Sequence, residues 1–145
     1  AEDLIPVVAT IGVDATGQAY NINADTAAGA IAAALGAEKL VYLTDIEGLR
    51  RDVADPASLI RRISAADLAE LVAAGTVAGG MIPKAQACID AVEAGVRSVH
   101  MINGTIPHVL LLELFTDEGV GTMITSGDAA SAAMLGTTIH QEPRP

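Results

Sequence analysis

The chain has 145 residues, enough for one domain with a real core, and 51% of them are hydrophobic while only 2% are aromatic, so the interior must be built from Ala, Val, Leu and Ile. The formal charge is −10 and Lys plus Arg number only 8, which excludes a nucleic-acid binder, because phosphate backbones need clustered cations. No apolar run is long enough to span a bilayer, and Cys88 is the only cysteine, which excludes an internal disulfide and points to a reducing, cytoplasmic setting.

In chain order, "LIPVVATIG" (4–12) reads as a buried strand. The opening "AEDLIPVVATIG" lacks Met and enters almost directly on that strand, as a fragment of a longer protein or a processed chain would. "DATG" (14–17) is a turn, and "QAYNIN" a short extended segment that makes a hairpin with it. "ADTAAGAIAAALG" (24–36) is a helix, with Asn23 to cap it and Gly36 to end it. "KLVYLT" (39–44) is a central parallel strand, followed by a loop over 45–56. "SAADLAELVAAG" (64–75) opens on Ser64 with Asp67 three residues on, a variant of the capping box. "TVAGG" is a flexible loop, and "PKAQACIDAVEAG" (83–95) a helix with Pro83 in its first turn. "RSVHMI" (97–102) is a strand, "PHVLLLELF" (107–115) a helix and "GVGTMI" (119–124) a last strand.

This alternation predicts an α/β domain of three layers, α/β/α, with a largely parallel central sheet over residues 1–124. The segment 125–145 has small residues and then "HQEPRP", and is expected to be poorly ordered.

Ligands of open α/β sheets gather at the carboxyl ends of the strands. Three polar groups fall there or at a helix start: Asn21, Asn23 and Asp25; Thr44 and Asp45 with Gly48; and the loop that ends at Lys84. Lys84 follows "GGMIP" in the first turn of a helix, where backbone N–H groups and the dipole favour an anion. It reads either as a solvated lysine or as a phosphate ligand. A cation in a first turn opposes the helix dipole, which favours the second. Asp25 either stabilises its helix dipole or orients a lysine. Asn21 and Asn23 are turn and cap residues, or donors and acceptors for a carboxylate or amide ligand. Thr44 and Asp45 either end a strand or wall a nucleotide, with Gly48 admitting close approach of the backbone. No GxGxxG and no GxxxxGK[ST] occurs, the histidines lack metal-ligand spacing, and Cys88 reads as a small core residue.

"IPVVATIGVDATGQAYNINADTAAGAIAAALGAEKLVYLTDIEGL", "GGMIPKAQACIDAVEAGV" and "HVLLLELFTDEGVGTMI" together resemble the second half of acetylglutamate kinases, members of the amino acid kinase family, from about Ile5 to Ile124. The resemblance implies ATP-dependent phosphorylation of the γ-carboxylate of N-acetyl-L-glutamate, a step of arginine biosynthesis, with Mg2+ accompanying ATP. It points to Asn21, with Asn23, for the acetylamino-acid substrate, to Asp25 for organising catalytic lysines, and to Lys84 for the transferring phosphoryl group. It implies a nucleotide site from Thr44, Asp45, Ile46, Glu47, Gly48, Leu49 and Arg50, with Thr76, Val77, Ala78 and Met81 from a second loop. Some members are inhibited by L-arginine near the C-terminus, and His108, Glu113 and Gly119 lie in a block similar to that site. Members are homo-oligomers. The family chain is far longer, and its first half supplies another lysine, a glycine-rich phosphate loop and most of the acetylglutamate pocket. This sequence is therefore expected to be the ATP-binding half, inactive alone. Two alternatives stay open: a related kinase of carrier-linked aminoadipate or glutamate, and a non-catalytic arginine-sensing module.

Overall fold

The computed structural model describes residues 4–116 and 119–127. An antiparallel ribbon pairs β1 (Ile11–Val13) with β2 (Ala19–Asn21). Then follow α1 (Ala24–Ala34), β3 (Lys39–Thr44), a 3-10 turn (Pro56–Ser58), β4 (Arg62–Ser64), α2 (Ala65–Ala73), α3 (Met81–Glu93), β5 (Ser98–Asn103), α4 (Val109–Phe115) and β6 (Thr122–Thr125). Strands β3, β5, β6 and β4 lie side by side in that order. β3 runs parallel to β5 and β4 parallel to β6, while β5 and β6 are antiparallel. The sheet is thus mostly parallel, as the alternating pattern predicts.

The alternation of side chains along β5 defines the layers. Val99 and Met101 join one core cluster with Leu68 of α2 and Ala85, Cys88, Ile89 and Val92 of α3. His100 points the other way and meets Glu113 of α4. Helices α1, α2 and α3 therefore cover one face and α4 the other. β5 is the central strand, buried over its first five residues.

The helix signals act as expected from the sequence. Asn23 Oδ1 accepts from the N–H of Thr26 at the start of α1, and Gly36 takes φ 60° just beyond its end. Ser64 Oγ accepts from the N–H of Asp67 and donates to the Asp67 carboxylate, which closes the variant capping box of α2. α3 starts at Met81, two residues before Pro83. Proline is tolerated there because the N–H groups of a first turn have no partner within the helix. α1 packs on α3 through Gly29, where a Cβ would stand 3.6 Å from that of Ala91. The first turn is also real: Asp14 Oδ1 accepts from the N–H groups of Thr16 and Gln18, and Gly17 has φ 87°. The bonds from Thr16 lead in lowering the Asp14 pKa to about 2.

Two expectations need correction. "LIPVVATIG" is not a buried strand: only Ile11–Val13 is extended in a ladder, and Ile5 and Val7 are 91% and 96% exposed. Apolar, β-branched residues favour a strand only where a neighbouring strand supplies the ladder, and among the described residues none flanks positions 4–10. In the opposite sense, β4 arises from "RIS", which shows no strand pattern. It is a three-residue edge strand, short and charged as edges commonly are. Thr125, assigned from the sequence to the segment 125–145, closes β6 instead; residues 128–145 of that segment lie outside the described residues.

α4 is anchored by a buried hydrogen-bonded pair. Glu113 Oε1 lies 2.7 Å from His100 Nδ1, and Ser98 Oγ lies 3.0 Å from His100 Nε2. Glu113 Oε2 accepts from the N–H groups of Val120 (2.7 Å) and Gly121 (3.0 Å). Burial pushes the Glu113 carboxyl up, but the bond from His100 and the two amides outweigh it and hold the group below the usual glutamate range.

Two measurements check this packing. Leu68 is fully buried between α2 and α3. Leu68→Ala is expected to lower stability in denaturant titration by about 2–5 kcal/mol, and a loss below about 1 kcal/mol would remove α2 from the core. Because the folded pKa of Glu113 is depressed, its contribution is fully present above the unfolded value near about 4.3 and fades as pH falls through the folded value. Stability measured from neutral pH downward should therefore fall less steeply below about pH 4.3 in Glu113→Gln than in the parent. Equal slopes would show that Glu113 carries no such linkage.

Candidate functional site

The parallel register sets Thr44 beside Asn103 at the carboxyl ends of β3 and β5. The loop that leaves β3 bends at once: the Thr44 hydroxyl accepts from the N–H of Ile46 and donates to its carbonyl. That loop and the start of α3 enclose a cavity of about 510 Å3. Asp45, Ile46, Glu47, Gly48, Leu49 and Arg50 line it from one side, and Thr76, Val77, Ala78 and Met81 from the other. Ten of the eleven residues named from the sequence for a nucleotide thus share one cavity. Thr44 is the exception, sitting beneath it as the brace of the loop.

Val53 and Asn103 also line the cavity and escaped the sequence reading. Asn103 had a usable signal, since it directly follows the apolar run of β5 at the ligand-bearing end of the sheet. Val53 had none, as it sits in a loop of mixed character. The cavity walls are apolar, with Asp45, Glu47, Arg50 and Asn103 as polar groups, a composition that suits a flat ring with a polar edge. Arg50 is fixed by Glu47 at 2.8 Å and donates to the carbonyl of Val53 at 3.3 Å.

One turn into α3, Lys84 Nζ lies 2.8 Å from Asp25 Oδ2 at the start of α1. Both side chains are about a quarter exposed, at 22% and 26%, so the pair is open to a ligand from one side. Tyr42 of β3 supports it from below: its hydroxyl donates to the Asp25 carbonyl at 2.8 Å, and the ammonium lies 5.9 Å from its ring centre. Burial, with Cys88, Asp25 and Asp90 nearby, raises the Tyr42 pKa and keeps that hydroxyl protonated. The start of α3 has Gly80 as its cap residue and no side-chain cap; the N–H groups of Met81 and Ile82 donate to the carbonyls of Ala78 and Gly79, and Pro83 has no N–H, so this end offers a ligand its positive dipole rather than free donors. A mobile ammonium, a carboxylate that aims it and the positive end of the α3 dipole form an anion-stabilising corner one turn from the cavity-lining Met81.

The other named residues are placed as follows. Asn21 is exposed on β2, and Asn23 has its Oδ1 committed to the α1 cap, which leaves its amide NH2 as the outward donor. His108 starts α4 in a left-handed conformation with φ 60°. Glu113 is committed to His100 and to the 119–121 turn, where Gly119 has φ 63° and lies so close that a Cβ would stand 2.8 Å from Glu113 Oε2. Cys88 is buried in α3, and burial pushes its thiol up to about 12, which keeps it inert as a core residue. Among the described residues, no three His, Cys, Asp or Glu side chains gather to hold a metal ion. No described helix is long and apolar enough to cross a membrane.

Comparison with known proteins bears on this arrangement. The amino acid kinase family matches residues 1–103. The acetylglutamate kinase of Symbiobacterium thermophilum is 61% identical over 120 residues, which is 83% of this chain and 41% of that protein. The acetylglutamate kinase of Methanocaldococcus jannaschii is 57% identical over 121 residues, or 83% of this chain and 40% of that protein. The chain thus spans about 40% of the length of the curated relatives it matches. Among solved structures, N-acetylglutamate synthase from Neisseria gonorrhoeae, complexed with coenzyme A and L-arginine, superposes with a TM-score of 0.72 at 35% identity, over 81% of this chain and 26% of that one. Carbamate kinase from Giardia lamblia bound to AMP-PNP superposes with a TM-score of 0.59 at 24% identity, over 75% of this chain and 34% of that one, and shares the fold. With a family match over most of its length, close relatives of one kind and the same fold in solved members, this chain belongs to the amino acid kinase family.

Proposed function

We propose that this chain is the nucleotide-binding part of an acetylglutamate kinase. In that reaction the γ-phosphoryl group of ATP passes to the γ-carboxylate of N-acetyl-L-glutamate: the bond from phosphorus to the ADP oxygen breaks, a bond to the carboxylate oxygen forms, and ADP leaves. The observation that carries the reading is the Lys84–Asp25 pair, 2.8 Å apart at the start of α3, whose Met81 also lines the apolar cavity.

Phosphoryl transfer asks a protein for positioning and charge neutralisation more than for a nucleophile. The cavity takes the base and ribose, with Asn103 and the backbone of the 45–50 loop at the polar edge. Lys84 neutralises the charge of the transferring phosphoryl group, and the N-terminal end of α3 adds to its field. Asp25 aims Lys84 across the gap between α1 and α3. The outward amide groups of Asn21 and Asn23 face the acceptor. Mg2+ enters with ATP as part of the substrate. A soluble, cytoplasmic enzyme acting as a homo-oligomer fits this role.

A second reading has one observation behind it: L-arginine is present in the complex of the 35% identical synthase, as a ligand of that protein. On this reading the chain is an arginine-sensing module built around the α4 end.

Calorimetric titration of Mg·ATP into the chain is expected to show saturable binding, weakened about tenfold or more in Lys84→Ala, since the substitution removes a charge-assisted contact to phosphate. Binding of arginine with no response to Mg·ATP at millimolar concentration would reverse the order of the two readings. Because the chain covers about 40% of its relatives, steady-state assay with N-acetyl-L-glutamate should give no turnover. Turnover comparable to the relatives' would show that these residues complete the site by themselves.

A further inference from the structure

The loop that walls the cavity is held from a direction its own strand does not supply. The N–H of Leu49 donates to Thr122 Oγ1 at 2.8 Å, and the same hydroxyl donates to the carbonyl of Ile60 at 2.7 Å. The N–H of Ile60 donates in turn to the carbonyl of Leu49 at 2.8 Å. Three bonds so close a ring between the cavity loop, the residue two before β4, and the first residue of β6. Thr122 is fully buried, and its single hydroxyl is used both as donor and as acceptor.

Gly48 shows how tightly the loop descends on β6. A Cβ there would stand 2.5 Å from Thr122 Oγ1 and 3.1 Å from Thr122 N, and φ is 149°. The sequence reading gave Gly48 the task of admitting a ligand; the room it leaves is taken by Thr122. The residues before Thr122 are fixed as well, because the N–H groups of Val120 and Gly121 are bound by Glu113. The hydroxyl is therefore held from one side by the sheet and from the other by α4, and neither anchor lines the cavity.

We propose that Thr122 is a positioning residue for the nucleotide cavity: its hydroxyl fixes Gly48 and Leu49 in the conformation that accepts the nucleotide. The proposal rests on the reading of the cavity as a nucleotide site. Thr122 itself touches no ligand and acts through the N–H of Leu49. Valine would fill the same volume but leave a buried N–H and a buried carbonyl unpaired, which frees the loop to move.

The test uses the full chain as parent, Thr122→Val and Thr122→Ser, with two readouts. The first is amide hydrogen exchange at Leu49 under native conditions, compared with Val99 and Met101 of the central strand. The second is the Kd for Mg·ATP. In Thr122→Val, exchange at Leu49 should accelerate on the order of tenfold or more while the β5 amides keep their protection, and the Kd should rise on the order of tenfold. Thr122→Ser restores the hydroxyl and should return both readouts close to the parent. Unchanged exchange at Leu49 in Thr122→Val, or a serine variant that fails to rescue it, overturns the proposal. A parent that binds no Mg·ATP sinks the nucleotide reading, and then the exchange rate alone decides whether Thr122 holds the loop. Should Thr122→Val unfold, Thr122→Cys places a weaker acceptor for the Leu49 N–H at the same position: faster exchange at Leu49 supports the proposal, and the parent rate overturns it.

Discussion

The parallel pairing of β3 with β5 governs the rest of the molecule. Six residue pairs in register, from Lys39 with Ser98 to Thr44 with Asn103, bring the two carboxyl ends to the same level. A parallel pair cannot be joined by a tight turn, so the chain between them must leave the sheet, cross and return. That crossing contains β4, α2 and α3, and α3 comes back over the sheet with its N-terminal end beside the loop that follows β3. The cavity is the space left between the departing loop and the returning helix. The same crossing carries Lys84 to within 2.8 Å of Asp25, 59 residues away in the chain. Had the strands been antiparallel, α3 would not have been required to return to that end.

Small side chains make this geometry possible. α1 and α3 approach closely enough that a Cβ at Gly29 would meet Ala91, and the Tyr42 hydroxyl reaches the Asp25 carbonyl. A chain with 2% aromatic residues fills its core with many thin layers and brings backbones near one another. Charge is then placed sparingly. Asp25 and Lys84 offset each other in a half-open setting, where the pair contributes modestly to stability and more to orientation. The buried Glu113 differs, since it has three donors and its role is to pin α4 and the following turn.

The legible parts of this fold were those with a local cause. Caps at Asn23 and Ser64, glycine stops, and the apolar run of β3 all act within a few residues, and each was placed from the sequence. What stayed hidden depended on distant partners. Residues 4–10 carry a strong strand pattern, yet no flanking strand exists for them among the described residues. "RIS" carries none, yet β6 supplies a ladder and makes it a strand. At the site, the residues that line the cavity were found because the resemblance grouped them, whereas Thr122 was passed over: a threonine at the start of an apolar run gives no local sign that its hydroxyl will meet Leu49, 73 positions earlier.

The scarcity of aromatic residues also gives the molecule a built-in optical reporter. With no tryptophan and two tyrosines, ultraviolet emission above that of phenylalanine comes from Tyr20 and Tyr42 alone. Tyr20 lies exposed on the ribbon, while Tyr42 is buried under the Lys84 ammonium with its hydroxyl bonded to the Asp25 carbonyl. The buried ring therefore senses the field of the one charge pair that joins α1 to α3. Any event that draws Lys84 away from Asp25 changes the surroundings of that ring, so the natural chromophore of this protein looks directly at its candidate catalytic corner without an added label.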